Sequence, residues 1–241
     1  MVCGCESWEE ITDYGKTKKE WLATFLELPS GIPSESTIRR VFTILEPKSV
    51  ESVYRDWVAP YIGGCMNKQI GIDGKTVCGV GVGSGQQDAL HIVSAWIRED
   101  GISFGQIKTE TKSNEITAIP LLIDSFDISG GTVTIDAMGC QKTIVERIIE
   151  KEANYILAVK GNQPQLMMDI KEYFDWAKED AIESKNLGVY KEEEWVHGRK
   201  YSRTVYVTND VSWYQQKGDW GMLRSFVCIE RTRIDNKGKK K

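Results

Sequence analysis

Histidine is nearly missing from this 241-residue chain: only His91 and His197 are present, and no two cysteines stand in a Cys-x-x-Cys spacing. The six cysteines, Cys3, Cys5, Cys65, Cys78, Cys140 and Cys228, are scattered, so a zinc site is not expected. There is no secretory leader and no apolar run of membrane-spanning length, so the thiols read as reduced groups of a cytoplasmic protein with no membrane partner. An excess of positive charge is missing too. The 35 acidic and 31 basic residues give a formal charge of −4, which excludes a global field that attracts nucleic acid and leaves only local patches. One such patch, Lys237-Gly238-Lys239-Lys240-Lys241, serves equally well as a solvated tail. Internal repeats and low-complexity tracts are absent as well. What is plentiful is apolar: 41% of the residues are hydrophobic, enough for a real core.

Residues 6–61 read as helices. The stretch SWEEITDYGKTKKEWLATFLEL spaces Trp8, Ile11, Trp21, Leu22, Phe25 and Leu26 at helical intervals before PSGIPS interrupts it. Ser34 then stands as an N-cap for ESTIRRVFTIL, which carries Arg39 and Arg40, and a further helix covers KSVESVYRDWVAPYI. Short helices with paired arginines suit a DNA-contacting domain, and suit equally a packing domain whose arginines face water.

After GGCMNK the pattern changes. QIGID, ALHIVSAWI and ISFGQIKT alternate as strands joined by turns, which predicts an antiparallel three-strand meander. Ser113 caps a helix over ITAIPLLIDSF, interrupted or begun near Pro120. GGTVTIDA is a strand, QKTIVERIIEKE an amphipathic helix, NYILAVK a buried strand and QPQLMMDIKEYFDWAKED a helix. Beyond residue 180 the chain turns charged, then strand-like again at SRTVYVTND and RSFVCIERTRI. An antiparallel meander followed by alternating helices and strands gives an α/β (α+β) class with the mixed sheet of a ribonuclease H-like fold.

The run TIDAMGCQ ends a β-branched strand in a carboxylate, Asp136, and follows it with small residues and an amide. An acid there stands at the carboxyl edge of a sheet, where α/β folds bind ligands, or else caps the turn that follows. Asp73, in IGIDGKT, falls in the first strand, and first and fourth strands are neighbours in a ribonuclease H-like sheet. Two converging acids repel unless a cation sits between them. Mg²⁺ or Mn²⁺ suits oxygen ligands, and two such ions about 3.5–4 Å apart stabilise both attacking and leaving oxygens in phosphoryl transfer.

Three other motifs carry less. CGVGVGSG lacks the Gly-Lys-Ser/Thr ending and the following helix of a phosphate cradle, so no nucleotide cofactor is expected and the loop reads as a hairpin connection. IDGKT has Gly71 where a haloacid-dehalogenase phosphatase needs its nucleophilic Asp. Cys140 has no histidine near it in sequence and reads as a small packed residue. Local DNA contact falls to Lys75, Lys112, Lys160, Asn162, Gln163, His197 and Arg199, beside Arg39 and Arg40; Lys160, Asn162 and Gln163 are either phosphate contacts or a loop and helix start held by Asn162.

In this order, GIDGKT, LHIVSAW, GQIKTETKSNEITAIPLL, TIDAMGCQK, YILAVKGNQP, HGR and ERTRI resemble the transposases of ISAs-type insertion sequences, also called H-repeat-associated proteins. ESWEEITDYG and LPSGIPSESTIRRVF resemble the helical domain associated with them. The resemblance covers almost the whole chain and is most specific from Lys108 to Pro164. That family belongs to the DDE superfamily. The resemblance therefore implies a ribonuclease H-like core that cuts and joins DNA, at transposon ends and target, with two metal ions held by three carboxylates. Matched motif to motif, Asp73 and Asp136 are the first two. The third, a Glu, is implied on a helix after a β-rich insertion, and the chain is expected to end within that insertion, clipped at both ends and lacking it.

The chain departs from the family pattern at Tyr201, where relatives commonly carry Glu, and in the loop after IDGKT, which is usually more basic. The expected organisation is a helical associated domain over 1–64 and a catalytic domain over 65–241, with self-association allowed. The alternative function is an inactive remnant that binds only DNA or a full-length relative; a host-adopted regulator is a third.

Overall fold

The structure, a computed structural model, describes residues 5, 7–62, 64–77, 90–109, 115–180, 187–196 and 199–234. The chain divides into two compact units, Met1–Pro60 and Tyr61–Lys241.

The first unit is helical: α1 (Trp8–Thr17), α2 (Lys19–Leu22), α3 (Glu35–Ile44) and the start of α4 (Pro47–Ile62). Ser7 and Glu10 close a reciprocal capping box on α1, each side chain accepting from the other's backbone N–H at 3.2 Å. Ser34 caps α3 as its spacing predicts, accepting from the Thr37 N–H at 3.3 Å. The stretch 7–28, read as helical, is broken at Lys18. Lys18 leaves helical geometry there, at φ −101° and ψ 15°. The Thr17 hydroxyl donates to the Asp13 carbonyl at 2.8 Å, and Gly15, without a Cβ, lets Ile32 pack closely against α1. The Trp8 and Phe42 rings, 5.2 Å apart, join α1 to α3.

The second unit holds a five-stranded sheet in the order β3-β2-β1-β4-β5. Its strands are β1 (Gln69–Val77), β2 (Leu90–Ile97), β3 (Ile102–Thr109), β4 (Thr132–Ile135) and β5 (Asn154–Leu157). The first three pair antiparallel; β4 and β5 add on parallel, beside β1. Helix α5 (Glu115–Asp124) links β3 to β4, and α6 (Lys142–Glu150) links β4 to β5. The observed order of elements matches the periodicity. Parallel pairing requires a crossover, and the two amphipathic helices supply it.

Period-two alternation then sorts the sheet's faces. Ile70, Ile72, Val93, Ala95, Ile97, Val133 and Ile135 point one way and are buried with Ala118, Ile119, Leu122, Ile123, Ile144, Val145 and Ile148 from α5 and α6. Each fully buried Ile or Leu here contributes roughly 1.5–3 kcal/mol. Arg147 locks the two helices with a two-pronged pair to Asp124 (2.6 and 2.7 Å), which holds that carboxyl below its ordinary range.

β5 corrects one expectation: it is the sheet edge, and Ile156 is 62% exposed rather than buried. Its other apolar residues have a use of their own: Tyr155 and Leu157, in register with Val133 and Ile135 and so on their face, join Val159 in packing against a second cluster. That cluster (Cys140, Val145, Leu166, Phe174, Tyr214, Trp220, Phe226) packs α7 (Pro164–Asp180) against a second sheet, β6-β7-β8, of strands Leu187–Val196, Arg199–Thr208 and Phe226–Ile234. Tyr173 stacks on Trp213 at 4.3 Å, and Lys178 bonds Glu230 at 2.6 Å.

Among the described residues, no helix is long and apolar enough to cross a membrane. The readings of the Gly-rich stretch, of Ser113, Lys112 and His197, and of the lysine-rich run at 237–241 fall outside the described residues.

Candidate active site

In the parallel pairing of β1 with β4, Ile72 lies opposite Ile135. Asp73 is the next residue of β1 and Asp136 the first residue past the end of β4, so they stand at neighbouring positions, on backbones about 4.8 Å apart. Since Ile72 and Ile135 point into the core, both acids emerge on the opposite face, and both are exposed. They line one open cavity of about 480 Å³ together with Gly71, Lys75, Ser94, Trp96, Ser103 and Thr134.

Asp136 does two things. Its Oδ1 accepts from the Met138 N–H at 3.0 Å, capping the 3₁₀ turn Ala137–Gly139, while its second oxygen has no hydrogen-bond partner among the described residues. Cap and sheet-edge carboxylate, the two readings of TIDAMGCQ, describe one residue. Gly139 makes the turn possible: a Cβ there would lie 2.2 Å from Ile135 Cγ2.

The Asp73 carboxylate has no ion pair or hydrogen bond among the described residues; only its backbone carbonyl is approached, by Ser94 Oγ at 3.5 Å. Beneath it, Gly74 admits the buried carboxylate of Glu115, whose carbon would lie 2.5 Å from any Cβ at that position.

Two bare carboxylates on adjacent strands repel, and the repulsion is relieved by a cation between them. Their donors are hard oxygens with no imidazole or thiolate at hand, a set that fits Mg²⁺ or Mn²⁺ and not zinc. Among the described residues no group of three or more His, Cys, Asp or Glu side chains stands together, so the pair is the whole described set.

The remaining expected contacts separate into groups. Lys75 lines the cavity, two residues along from Asp73 on the same face. Lys160 is exposed at the same sheet edge, just past the Ala158 N–H, which bonds the Ile135 carbonyl at 3.2 Å. Asn162 and Gln163 turn inward instead: their amides donate to the carbonyls of Ala137 and Cys140, the second at 2.9 Å. They clamp the turn behind Asp136. Arg39 and Arg40 are exposed on α3, in the other unit, and Arg199 is exposed at the start of β7, outside the cavity lining. Ser94, Trp96, Ser103 and Thr134 were not singled out in the sequence. The alternation of LHIVSAWI could have placed Ser94 and Trp96 on one face, but only the register sets them opposite Asp73 and Gly71.

Cys140 is 1% exposed, and burial pushes its thiol up to about 11. It is a packed residue of the second cluster, as expected. Native protein should leave Cys140 unalkylated by iodoacetamide, with labelling on unfolding, read by peptide mass. The unfolded thiol ionises near 9, so its contribution to stability is complete below pH 9 and is lost as pH rises towards 11. A urea midpoint that falls more steeply over that window in the native chain than in Cys140→Ala is the expected result.

Comparison with known proteins places the chain. A family model described as DDE_Tnp_1-associated matches residues 1–58. The chain is 38% identical over 234 residues to the "Uncharacterized protein in dhlA 3'region" of Xanthobacter autotrophicus, covering 97% of this chain and 78% of that protein. It is 36% identical over 211 residues to the "H repeat-associated putative transposase YbfD" of Escherichia coli K12, covering 88% and 82%. Of other curated relatives it spans only about half, 53–55% of their length. A cryo-EM structure of the piggyBac transposase synaptic complex with hairpin DNA matches at 11% identity and a TM-score of 0.35, over 79% of this chain and 46% of that one, too slight a likeness to bear on fold or site. With the sequence relatives aligned across most of both chains, this protein belongs to the family of the H-repeat-associated transposases.

Proposed function

We propose that this chain carries the first two metal ligands of an insertion-sequence DNA transposase of the DDE type, with Asp73 and Asp136 holding Mg²⁺ or Mn²⁺ for phosphodiester cleavage and strand transfer. The observation that carries the reading is the pair of exposed carboxylates at neighbouring positions, one on β1 and one just past the end of the parallel strand β4, lining one cavity. The sheet order β3-β2-β1-β4-β5, with helices crossing between its parallel strands, supports a ribonuclease H-like core. On this reading residues 1–64 are the associated helical domain and 65–241 the catalytic one.

A divalent ion held there by Asp73 and Asp136 would supply Lewis acidity to a phosphodiester. The chain's own residues do the rest. Asp73 and Asp136 fix the ion's place on the rigid centre of the sheet; Gly71, with no side chain, leaves room for a nucleic-acid backbone to approach. Lys75 and Lys160 offer ammonium groups to phosphate at the same edge, and Asn162 and Gln163 hold the turn that aims Asp136. The substrate class is DNA, at transposon ends and target.

A second reading is a chain that holds metal and DNA without cutting. It is favoured by one observation: only two acids meet among the described residues, where the proposed chemistry uses three. One experiment tests both. Supercoiled DNA is incubated with the pure chain and Mn²⁺, and Mn²⁺ affinity is measured in parallel for the native chain and for Asp73→Asn. Nicking and binding, both lost in Asp73→Asn, support the first reading. Binding without nicking, lost in Asp73→Asn, supports the second, and Mn²⁺ affinity indifferent to Asp73 removes both.

A further inference from the structure

The second sheet of the larger unit carries a feature that the metal site does not use. The register of β6, β7 and β8 sets Glu192 opposite Arg203 and Arg203 opposite Arg231, then Glu194 opposite Tyr201 and Tyr201 opposite Arg233. Since alternate residues share a face, Arg199, Tyr201 and Arg203 of β7 lie with Arg231 and Arg233 of β8 on one side. The other side is accounted for: Tyr206, Cys228, Phe226 and Glu230 face α7, where Lys178 bonds Glu230 and sits 5.0 Å over the Tyr206 ring. The arginine side is turned away from that packing and forms a concavity of about 390 Å³.

Four arginines on one sheet face are a strong local concentration in a chain of net charge −4. They are arginines, not lysines, whose planar forks match phosphate oxygens two at a time. Glu192 and Glu194 on β6 offset only part of the charge. The Arg203–Glu192 pair is 3.7 Å long with both side chains 51% exposed, a weak bond that a phosphate readily replaces. Tyr201, between the arginine rows, offers its hydroxyl and ring to the phosphate and sugar of the backbone.

We propose that this arginine face of β7 and β8 is a second DNA-binding surface, one that grips the phosphate backbone of duplex DNA apart from the Asp73–Asp136 cavity. It rests on the reading that DNA is the substrate. It adds a place of attachment to it: the cavity holds the bond to be broken, and the arginine face anchors the duplex. Charge complementarity selects the occupant, because four cationic forks held at strand spacing on a rigid sheet suit a regular row of phosphates.

The test is a salt series. Each phosphate contact released adds about 0.9 to the slope of log K against log salt. The chain, Arg203→Ala/Arg231→Ala, Arg203→Lys/Arg231→Lys and, on the opposite face, Lys191→Ala/Lys200→Ala are titrated with a labelled duplex of mixed sequence between about 50 and 200 mM salt. Circular dichroism first establishes that each is folded. The alanine pair should bind tenfold or more weakly with a slope smaller by about two, the lysine pair should keep the native slope, and the Lys191/Lys200 pair should match the native chain.

Failure of the underlying reading is distinguishable. If the native chain binds no duplex at the lowest salt, both readings fall. If it binds and the Arg203→Ala/Arg231→Ala slope stays native, only the arginine face is overturned. If sedimentation shows a native dimer that this double variant dissociates while DNA affinity is unchanged, the face joins two copies instead, and the proposal is wrong.

Discussion

Asp136→Asn should lower metal-dependent strand cleavage by about a thousandfold or more and Mn²⁺ affinity by at least tenfold, with no loss of stability. Asparagine keeps an Oδ1 in the same place, so the bond from the Met138 N–H, 3.0 Å in the native chain, survives and the turn stays capped. What disappears is the charge, and with it half of a hard-oxygen pair. A metal ligand supplies several kcal/mol of charge stabilisation, and each 1.36 kcal/mol is a factor of ten in rate. Without metal, the substitution removes repulsion from Asp73, so the melting temperature should hold or rise slightly.

Asp136→Ala separates the two roles from the other side. It loses charge and cap together, so it should match Asn in the metal titration and fall below it in stability by roughly 1 kcal/mol. A residue that only capped would give the reverse order: native affinity and native cleavage in Asn, and a defect in Ala alone. The two assays together tell which description of the carboxylate governs, and the Mn²⁺ titration does so even where the chain alone does not turn over.

Much of the fold could be read from pattern. The alternating stretches at 69–77, 90–97 and 102–109 and the amphipathic spacing of 142–150 set the order of elements, and the order placed the first and fourth strands together. Asp73 and Asp136 stood out because each interrupts an apolar alternation at a strand's outward position. The missing parts have physical causes. β6 was not foreseen because LGVYKEEEWV is charged and exposed along nearly its whole length, so no buried face marks its period. The break at Lys18 falls inside a stretch of helical spacing with no proline to mark it. Asn162 and Gln163 carry donor chemistry that suits a phosphate as well as a carbonyl, and only the folded chain brings the carbonyls of Ala137 and Cys140 within reach. Arg231 and Arg233 become neighbours of Arg203 and Tyr201 only through the β7–β8 register, which no local pattern encodes.

A large loss of stability is expected from the addition of a single methyl, in Gly139→Ala. Its Cβ would fall 2.2 Å from Ile135 Cγ2, 3.1 Å from Ile135 Cβ and 3.3 Å from Ile119 Cδ1. None of these is the loose end of a flexible chain. Ile135 is β-branched, held to few rotamers, and 6% exposed, while Ile119 is 3% exposed in α5. The turn must therefore lift away from β4, at a cost of about 1–3 kcal/mol or more, or roughly 2–4 °C per kcal/mol for a chain of this size. Lifting it also moves the Met138 N–H that holds Asp136, so Mn²⁺ affinity should fall although no ligand has changed. Ile135→Ala removes the obstructing methyl at its own cost of about 2–4 kcal/mol. In Gly139→Ala/Ile135→Ala the two costs should then fall short of their sum by at least ~1 kcal/mol, the mark of groups in contact. Part of the Mn²⁺ affinity should return in the double variant, because the turn can settle back with its cap in place. Strict additivity in the urea midpoints, with affinity unrestored, would show that the turn is not held to β4 by this contact and that Asp136 is positioned by something else.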